Sequence, residues 1–217
     1  TGIKTVIVSG GVFMNVKLNK LIAEQSEINR FFVFPSCGDE SNAFGACYFG
    51  LKYLNPNGTP NPIKDLYLGP SFSSEDINKA VKKIKQVKIS TPKNIEYEIA
   101  KLLSKGGIIA RFDGRAEWGA RALGNRSILA DPSNPKTVEI INKMIKNRDF
   151  WMPFAPVLLD EDKNKYLKYL SKSVGYYMMM AYDTKEDSRD DLAAAVHLYD
   201  KTARAQILLR EFNPKLW

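Results

Sequence analysis

The chain has 217 residues, 44% hydrophobic and 26% charged, which suffices for one large domain or two small ones and excludes a disordered chain. A formal net charge of +8 favours anionic ligands such as nucleotides, phosphates or nucleic acid without choosing among them. Two cysteines, Cys37 and Cys47, are too few for a disulfide framework, and their spacing fits no zinc motif.

The first sixty residues read as alternating strand and helix. TVIVSGG, residues 5 to 11, predicts a β-branched strand ending in a glycine pair. VKLNKLIAEQ then predicts a helix with Leu18, Leu21 and Ile22 at helical spacing and Asn15 as its N-cap. Strand, glycine turn and helix in that order aim free amides and a helix dipole at whatever lies above the strand. An ordinary tight turn and a phosphate site both fit Gly10 and Gly11. FFVFP, residues 31 to 35, predicts a short buried strand, and SCGDESN leads into the helix AFGACYFGLKYL with Ser41 or Asn42 as its cap. Asp39 and Glu40 stand at the strand's carboxyl end, where open α/β sheets place ligands. Acids there can hold a metal, and capping or solvation explains them as well.

The stretch NPNGTPNPIKDLYLGPSFSSE carries four of the eleven prolines and reads as a linker near residue 60. Beyond it the pattern predicts amphipathic helices over 74–86 and 93–105, then GGIIARF as a buried strand. Asn134 and Pro135 open a helix over TVEIINKMIKNR, with Val138, Ile141 and Ile145 inward and Lys143 and Lys146 together on another face. Those lysines and Arg148 form either a second basic group or a solvated face. WMPFAPVLL reads as a proline-flanked strand and YYMMMAY, residues 176 to 182, as a core strand. His197, the single histidine, cannot build a metal site alone and suits a hydrogen-bonded structural role.

Between GGIIARF and the lysine helix lies GRAEWGARALGNRS, residues 114 to 127, where Arg115, Arg121 and Arg126 alternate with glycines and Glu117 and Trp118 sit between them. Guanidinium groups grip phosphate or carboxylate in bidentate fashion, and glycines let backbone amides approach a ligand. A solvated basic loop is the competing reading. Gly119, Gly124 and Asn125 are poor helix formers, so the run is expected as a loop. There is no Walker lysine motif, no GxSxG and no HExxH, and no repeat or low-complexity tract. No apolar stretch approaches the roughly 18 residues of a membrane helix, and the N-terminus lacks a signal-peptide layout, so a soluble cytoplasmic protein is expected.

Five blocks in order, SGGVFMNVKLN, FPSCGDESNAFGA, GRAEWGARALGNRSILADP, KNRDFWMPFAPVLL and AAAVHLYDKTARAQILLREFNP, resemble the O-carbamoyltransferases of the NodU/CmcH/TobZ type over nearly the whole chain. The arginine and FAPVLL blocks are the specific ones. The resemblance implies an α/β fold in two parts. Residues 1–60 would be the C-terminal portion of an actin-like, glycoprotease-type carbamoyl-transfer domain. Residues 61–217 would be a YrdC-like domain with a mixed twisted sheet that makes carbamoyl-adenylate from carbamoyl phosphate and ATP. The carbamoyl group would then pass to a hydroxyl of a small-molecule acceptor, a sugar or secondary metabolite.

Family members are longer, so the resemblance also implies an internal fragment, whose missing N-terminal part supplies a histidine pair that binds iron together with Asp39. It places Gly10, Gly11 and Asn15 toward nucleotide phosphates, and Arg115, Arg121, Arg126, Ser127, Lys146 and Arg148 around carbamoyl phosphate and ATP. FWMPFAP would wall the pocket against water. Ala120 stands where the family often has proline, which makes the turn before Arg121 less rigid. The alternatives are an RNA- or nucleotide-binding module, given a pI near 9.3, and an inactive truncated paralogue.

Overall fold

The computed structural model describes residues 2–143 and 152–217. Its first unit is a parallel strand pair bridged by a helix. β1 (Thr5–Val8) and β2 (Arg30–Val33) run side by side with Thr5 opposite Arg30 and Val8 opposite Val33. Parallel neighbours require a crossover, which α1 (Val16–Ala23) supplies. The glycine pair does not feed α1 directly. Gly10 adopts φ 102°, a conformation that costs glycine little, and a 3-10 turn over Gly11–Met14 intervenes before Asn15. Asn15 is the N-cap, its side chain accepting the Lys17 and Leu18 amides at 3.1 Å each.

The buried residues of α1 are Asn19 and Ala23, whereas the expected core residue Leu21 is half exposed. Asn19 is inward because it has work there: its Nδ2 donates to the carbonyls of Phe13 at 2.7 Å and Met179 at 2.8 Å. α2 (Ser41–Leu54) begins one residue after Glu40, which takes the cap position without a side-chain bond to the helix, so neither Ser41 nor Asn42 caps it. No α2 residue is buried among the described residues, and Phe49, Tyr53 and Leu54 are exposed.

The proline-rich stretch carries no regular element, as its breakers require, yet it is docked rather than loose. Leu66 is buried, its carbonyl accepts the Trp118 amide at 2.7 Å, and Gly69 and Pro70 exchange backbone bonds with Ala116 at 2.9 Å. α3 (Ser74–Val81) starts at a reciprocal capping box between Ser73 and Asp76, and α4 (Ile95–Leu103) at Asn94, whose side chain accepts the Tyr97 amide. β3 (Ile109–Phe112) and β4 (Arg126–Leu129) pair antiparallel, Phe112 opposite Arg126. GGIIARF therefore becomes half a hairpin and not a buried strand. Phe112 is exposed on the protein and roofed by the Arg126 guanidinium, 3.6 Å from its ring centre.

Asn134 accepts the Lys136 amide at the start of α5 (Lys136–Ile141), which buries Thr137 and Ile141. Lys143 is engaged in an exposed pair with Glu139 at 2.6 Å, while Ile145, Lys146, Arg148 and Trp151 lie outside the described residues. WMPFAPVLL contributes only β5 (Val157–Leu159), because the prolines before it have no amide to donate to a ladder. β5 pairs in parallel with the final strand, and the short α6 (Lys163–Tyr166) follows it. YYMMMAY is core, with Tyr177 to Tyr182 all buried, but it is not a strand: Met178 has φ 57°, and only Tyr182–Asp183 pairs, as β6, with β7 (Thr202–Ala203). β8 (Gln206–Leu208) completes the set. The expected α/β composition is present, but in place of one mixed twisted sheet the described residues form four separate two-stranded ladders, two parallel and two antiparallel.

Apolar residues from both ends of the chain meet in one cluster, where Ala23, Phe31 and Val33 pack with Met178, Met179, Met180 and Ile207. Polar ties reinforce the contact. The Phe31 amide donates to Lys172 O at 2.7 Å, Lys20 reaches Asp183 at 3.1 Å, and Lys17 pairs with Asp200 at 2.6 Å. Asp200 also accepts from Thr202 and faces His197 Nδ1 at 3.2 Å, a structural setting for the single histidine. Burial opposes ionisation of Asp200, yet the Lys17 and Thr202 bonds prevail and hold its carboxyl well below the usual range. A depressed folded-state pKa contributes stability above the ordinary carboxylate value of 3.8 that is lost as pH falls toward the folded value. The stability gap between the native chain and Asp200→Asn, measured by urea unfolding, is therefore expected to be largest at pH 6 and to shrink steadily below about pH 4.

Candidate functional site

The arginine run is the connection of the β3–β4 hairpin, residues 113 to 125, and it forms no helix. A loop of this length leaves many backbone groups without a ladder partner, and side chains supply them. Asn125, buried, is the hub. Its Nδ2 donates to Arg115 O at 2.8 Å, and its Oδ1 accepts from Arg111 Nη1 and Asn213 Nδ2, both at 2.9 Å. Arg111 also donates to Gly124 O at 2.7 Å and pairs with Asp113 at 2.8 Å, and Lys215 approaches the same carboxylate at 3.3 Å. Leu123 O accepts from Tyr67 Oη at 2.8 Å and Gln206 Nε2 at 3.1 Å. Burial pushes the Tyr67 phenol above its ordinary value.

The expected ligand grips are partly committed within this network. Arg115 donates through Nε to Gly69 O at 2.9 Å and through Nη2 to Leu68 O at 2.5 Å. Arg126 donates to the carbonyls of Asp113 at 2.7 Å, Asn125 at 3.0 Å and Gly114 at 3.1 Å. A guanidinium has five N–H donors, so these bonds orient both groups without exhausting them. Ser127 Oγ accepts the Gly124 amide at 2.9 Å and so serves the loop itself. Arg121 is half buried between them in the chain. Gly124 holds φ 112° with the Leu216 side chain where a Cβ would stand, so the C-terminal segment closes over the loop.

The same loop reaches the first unit. Trp118 packs against Phe44 with ring centres 4.5 Å apart and against Phe34 at 6.0 Å, and Gly119 presses on Ser36. The turn it touches carries Cys37, a buried thiol that burial pushes up while contacts with the Gly10 backbone and Ser9 hydroxyl pull it down. Contacts thus run from the arginine loop to the turn that carries Ser36 and Cys37, and from Cys37 on to Gly10. The Cβ positions of Gly10 and Gly11 face open space. Asp39 and Glu40 are exposed, and Ser36 Oγ donates to Glu40, holding that carboxyl below its ordinary value. Among the described residues no group of three or more His, Cys, Asp or Glu side chains gathers to hold a metal, and no helix is long and apolar enough to cross a membrane. A separate cleft of about 580 Å³ lies between Phe32, Asp65, Tyr176, Tyr177 and Phe212 and is lined by none of the residues expected to hold a ligand or metal.

The model of the carbamoyltransferase C-terminus family matches residues 100–217, the span that holds the hairpin and its supporting network. The chain belongs to the NodU-type carbamoyltransferase family. An uncharacterized protein of Methanocaldococcus jannaschii is 36% identical over 222 residues, covering 99% of this chain and 36% of the relative. Nodulation protein NolNO of Sinorhizobium fredii is 32% identical over 226 residues, covering 100% of the chain and 32% of the relative. Nodulation protein NolO of Bradyrhizobium diazoefficiens is 29% identical over 219 residues, covering 100% and 40%. The chain thus spans about a third of the length of the relatives it matches.

In this member of the carbamoyltransferase family the residues that build the loop are ones sequence reasoning gave no role in binding the loop together: Arg111, Asp113, Asn125 and Asn213. Asn213 lies 88 positions from Asn125, so no local pattern announces their bond. Arg111, an arginine alternating with apolar residues on a strand, was the available signal. Asn125→Ala removes one donor and one acceptor shared by three partners, of which Asn213 is buried, and it is expected to destabilise the chain by about 1–3 kcal/mol in urea unfolding.

Proposed function

We propose that the chain is the part of an ATP-dependent O-carbamoyltransferase that makes carbamoyl-adenylate, joined to a portion of the domain that transfers the carbamoyl group. Residues 61–217 take the YrdC-like adenylating role and residues 1–60 belong to the actin-like transfer domain. The observation that carries this reading is the seating of the arginine loop, through Trp118, on the turn after β2. The loop that bears the three arginines thereby touches the neighbouring unit at Phe34, Ser36 and Phe44, on the segment that also carries Asp39.

The chemistry accounts for the cations. Water first cleaves carbamoyl phosphate to carbamate and inorganic phosphate; a carbamate oxygen then attacks the α-phosphorus of ATP and pyrophosphate departs, so two anions must approach while charge builds on the leaving group. Arg115, Arg121 and Arg126, with Lys146 and Arg148, offset that repulsion, and arginines do so without losing their proton. The open space over Gly10 and Gly11 leaves room for a nucleotide phosphate, with Asn15 acting through the cap it gives α1. A hydroxyl of a sugar or secondary metabolite then attacks the carbamoyl carbon and AMP leaves. Iron would supply Lewis-acid chemistry to that transfer. Asp39 fits it as a single ligand, and one carboxylate does not fill a coordination sphere, so further donors must come from outside the described residues.

Carbamoyl-phosphate-dependent exchange between ATP and pyrophosphate in the full-length protein tests the reading. Arg121→Ala and Lys146→Ala are each expected to lower exchange by about 100-fold or more, the scale of losing one preorganised charge donor. Exchange at the native rate in both variants refutes the assignment.

A further inference from the structure

Four consecutive amides at the base of the arginine loop, those of residues 123 to 126, are all met by side chains of the loop and of β4. The Gly124 amide goes to Ser127 Oγ. The other three converge on one atom: Glu117 Oε1 accepts from Leu123 at 2.8 Å, Asn125 at 2.8 Å and Arg126 at 3.1 Å. Converging backbone N–H groups form a concave site of positive potential that holds an anion, and here the anion is the chain's own carboxylate. A negative group in a loop that collects arginines works against anion binding unless its charge is taken up locally, and these amides take it up.

The bonds reach six, eight and nine residues along the chain. They close residues 118–122 into a tip that carries Arg121 and roots Trp118 beside Phe34 and Phe44. They also hold the backbone of Arg126, whose guanidinium lies over Phe112. We infer that Glu117 is a positioning residue for the adenylation site: its carboxylate fills an amide nest and thereby sets where Arg121 and Arg126 stand. It donates nothing to a substrate. This inference rests on the carbamoyl-adenylate reading above.

The test is chemical rescue in the full-length protein. Glu117→Ala empties the nest without altering any arginine, and formate is a carboxylate small enough to enter it. Carbamoyl-phosphate-dependent ATP–pyrophosphate exchange is expected to fall about tenfold or more in Glu117→Ala, because three amides lose their charged acceptor. Formate is expected to restore it several-fold, with sodium chloride at equal ionic strength restoring nothing and the native protein unaffected by either. In parallel, formate should raise the thermal midpoint of Glu117→Ala saturably and leave that of the native protein unchanged.

Native-like exchange in Glu117→Ala overturns the inference, as does a loss that formate relieves in neither readout. Should Glu117→Ala not fold, Glu117→Gln keeps an acceptor oxygen and drops the charge. It is expected to lose kcat with a smaller change in KM for carbamoyl phosphate, and native values of both overturn the positioning role. If formate stabilises Glu117→Ala while the native protein itself shows no exchange, the amide nest stands and the adenylation reading fails.

Discussion

Between β3 and β4 the chain must turn back through a stretch whose amides and carbonyls have no ladder to join, and the rest of the candidate site depends on how those groups are satisfied. Buried backbone polar groups left unpaired cost far more than an ordinary hydrogen bond returns. The hairpin solves this with polar side chains from three places: Asn125 and Glu117 within the loop, Arg111 on β3, and Tyr67, Gln206 and Asn213 from distant segments. The cations that define the loop in sequence are positioned by residues that are mostly not cationic.

This arrangement also explains why the loop is not a floppy basic surface. Arg115 grips the 68–69 carbonyls, which ties the proline-rich stretch to the hairpin. Trp118 and Gly119 meet the turn after β2, and Leu216 lies where a side chain on Gly124 would be. Three surfaces therefore bound one segment. A guanidinium held on such a scaffold needs little reorganisation when charge develops on a ligand, which is how fixed donors outperform mobile ones in stabilising a transition state.

The apolar part of the structure does a different job. Ala23, Phe31 and Val33 join the Met178–Met180 segment in one cluster, and the buried Asn19 stitches α1 to Met179 through its amide. Methionine suits this irregular backbone because its unbranched chain fills gaps that β-branched residues cannot. That the segment is core and yet not strand shows how burial and extended conformation separate: hydrophobicity drives the first, whereas Met178 with φ 57° prevents the second.

Local signals were strong where the physics is local. The β-branched run of β1, the Asn15 cap, the glycine turn at Gly10 and the absence of helix in the arginine run follow from propensity and hydrogen bonding over a few residues. Family membership was legible too, since it rests on ordered blocks of residues. Other features were decided by contacts that no short window contains. Leu21 faces outward while Asn19 turns in because Met179, 160 residues away, offers its carbonyl. GGIIARF is half exposed because, among the described residues, its strand partner is β4 alone, and a two-stranded hairpin has one face to bury. The sequence by itself determined that cations and glycines gather in one loop of a chain of the carbamoyltransferase family. Tertiary structure alone decided what that loop rests on, because an amide or a carboxylate is satisfied by whatever the fold brings within 3 Å, and sequence distance carries no record of that.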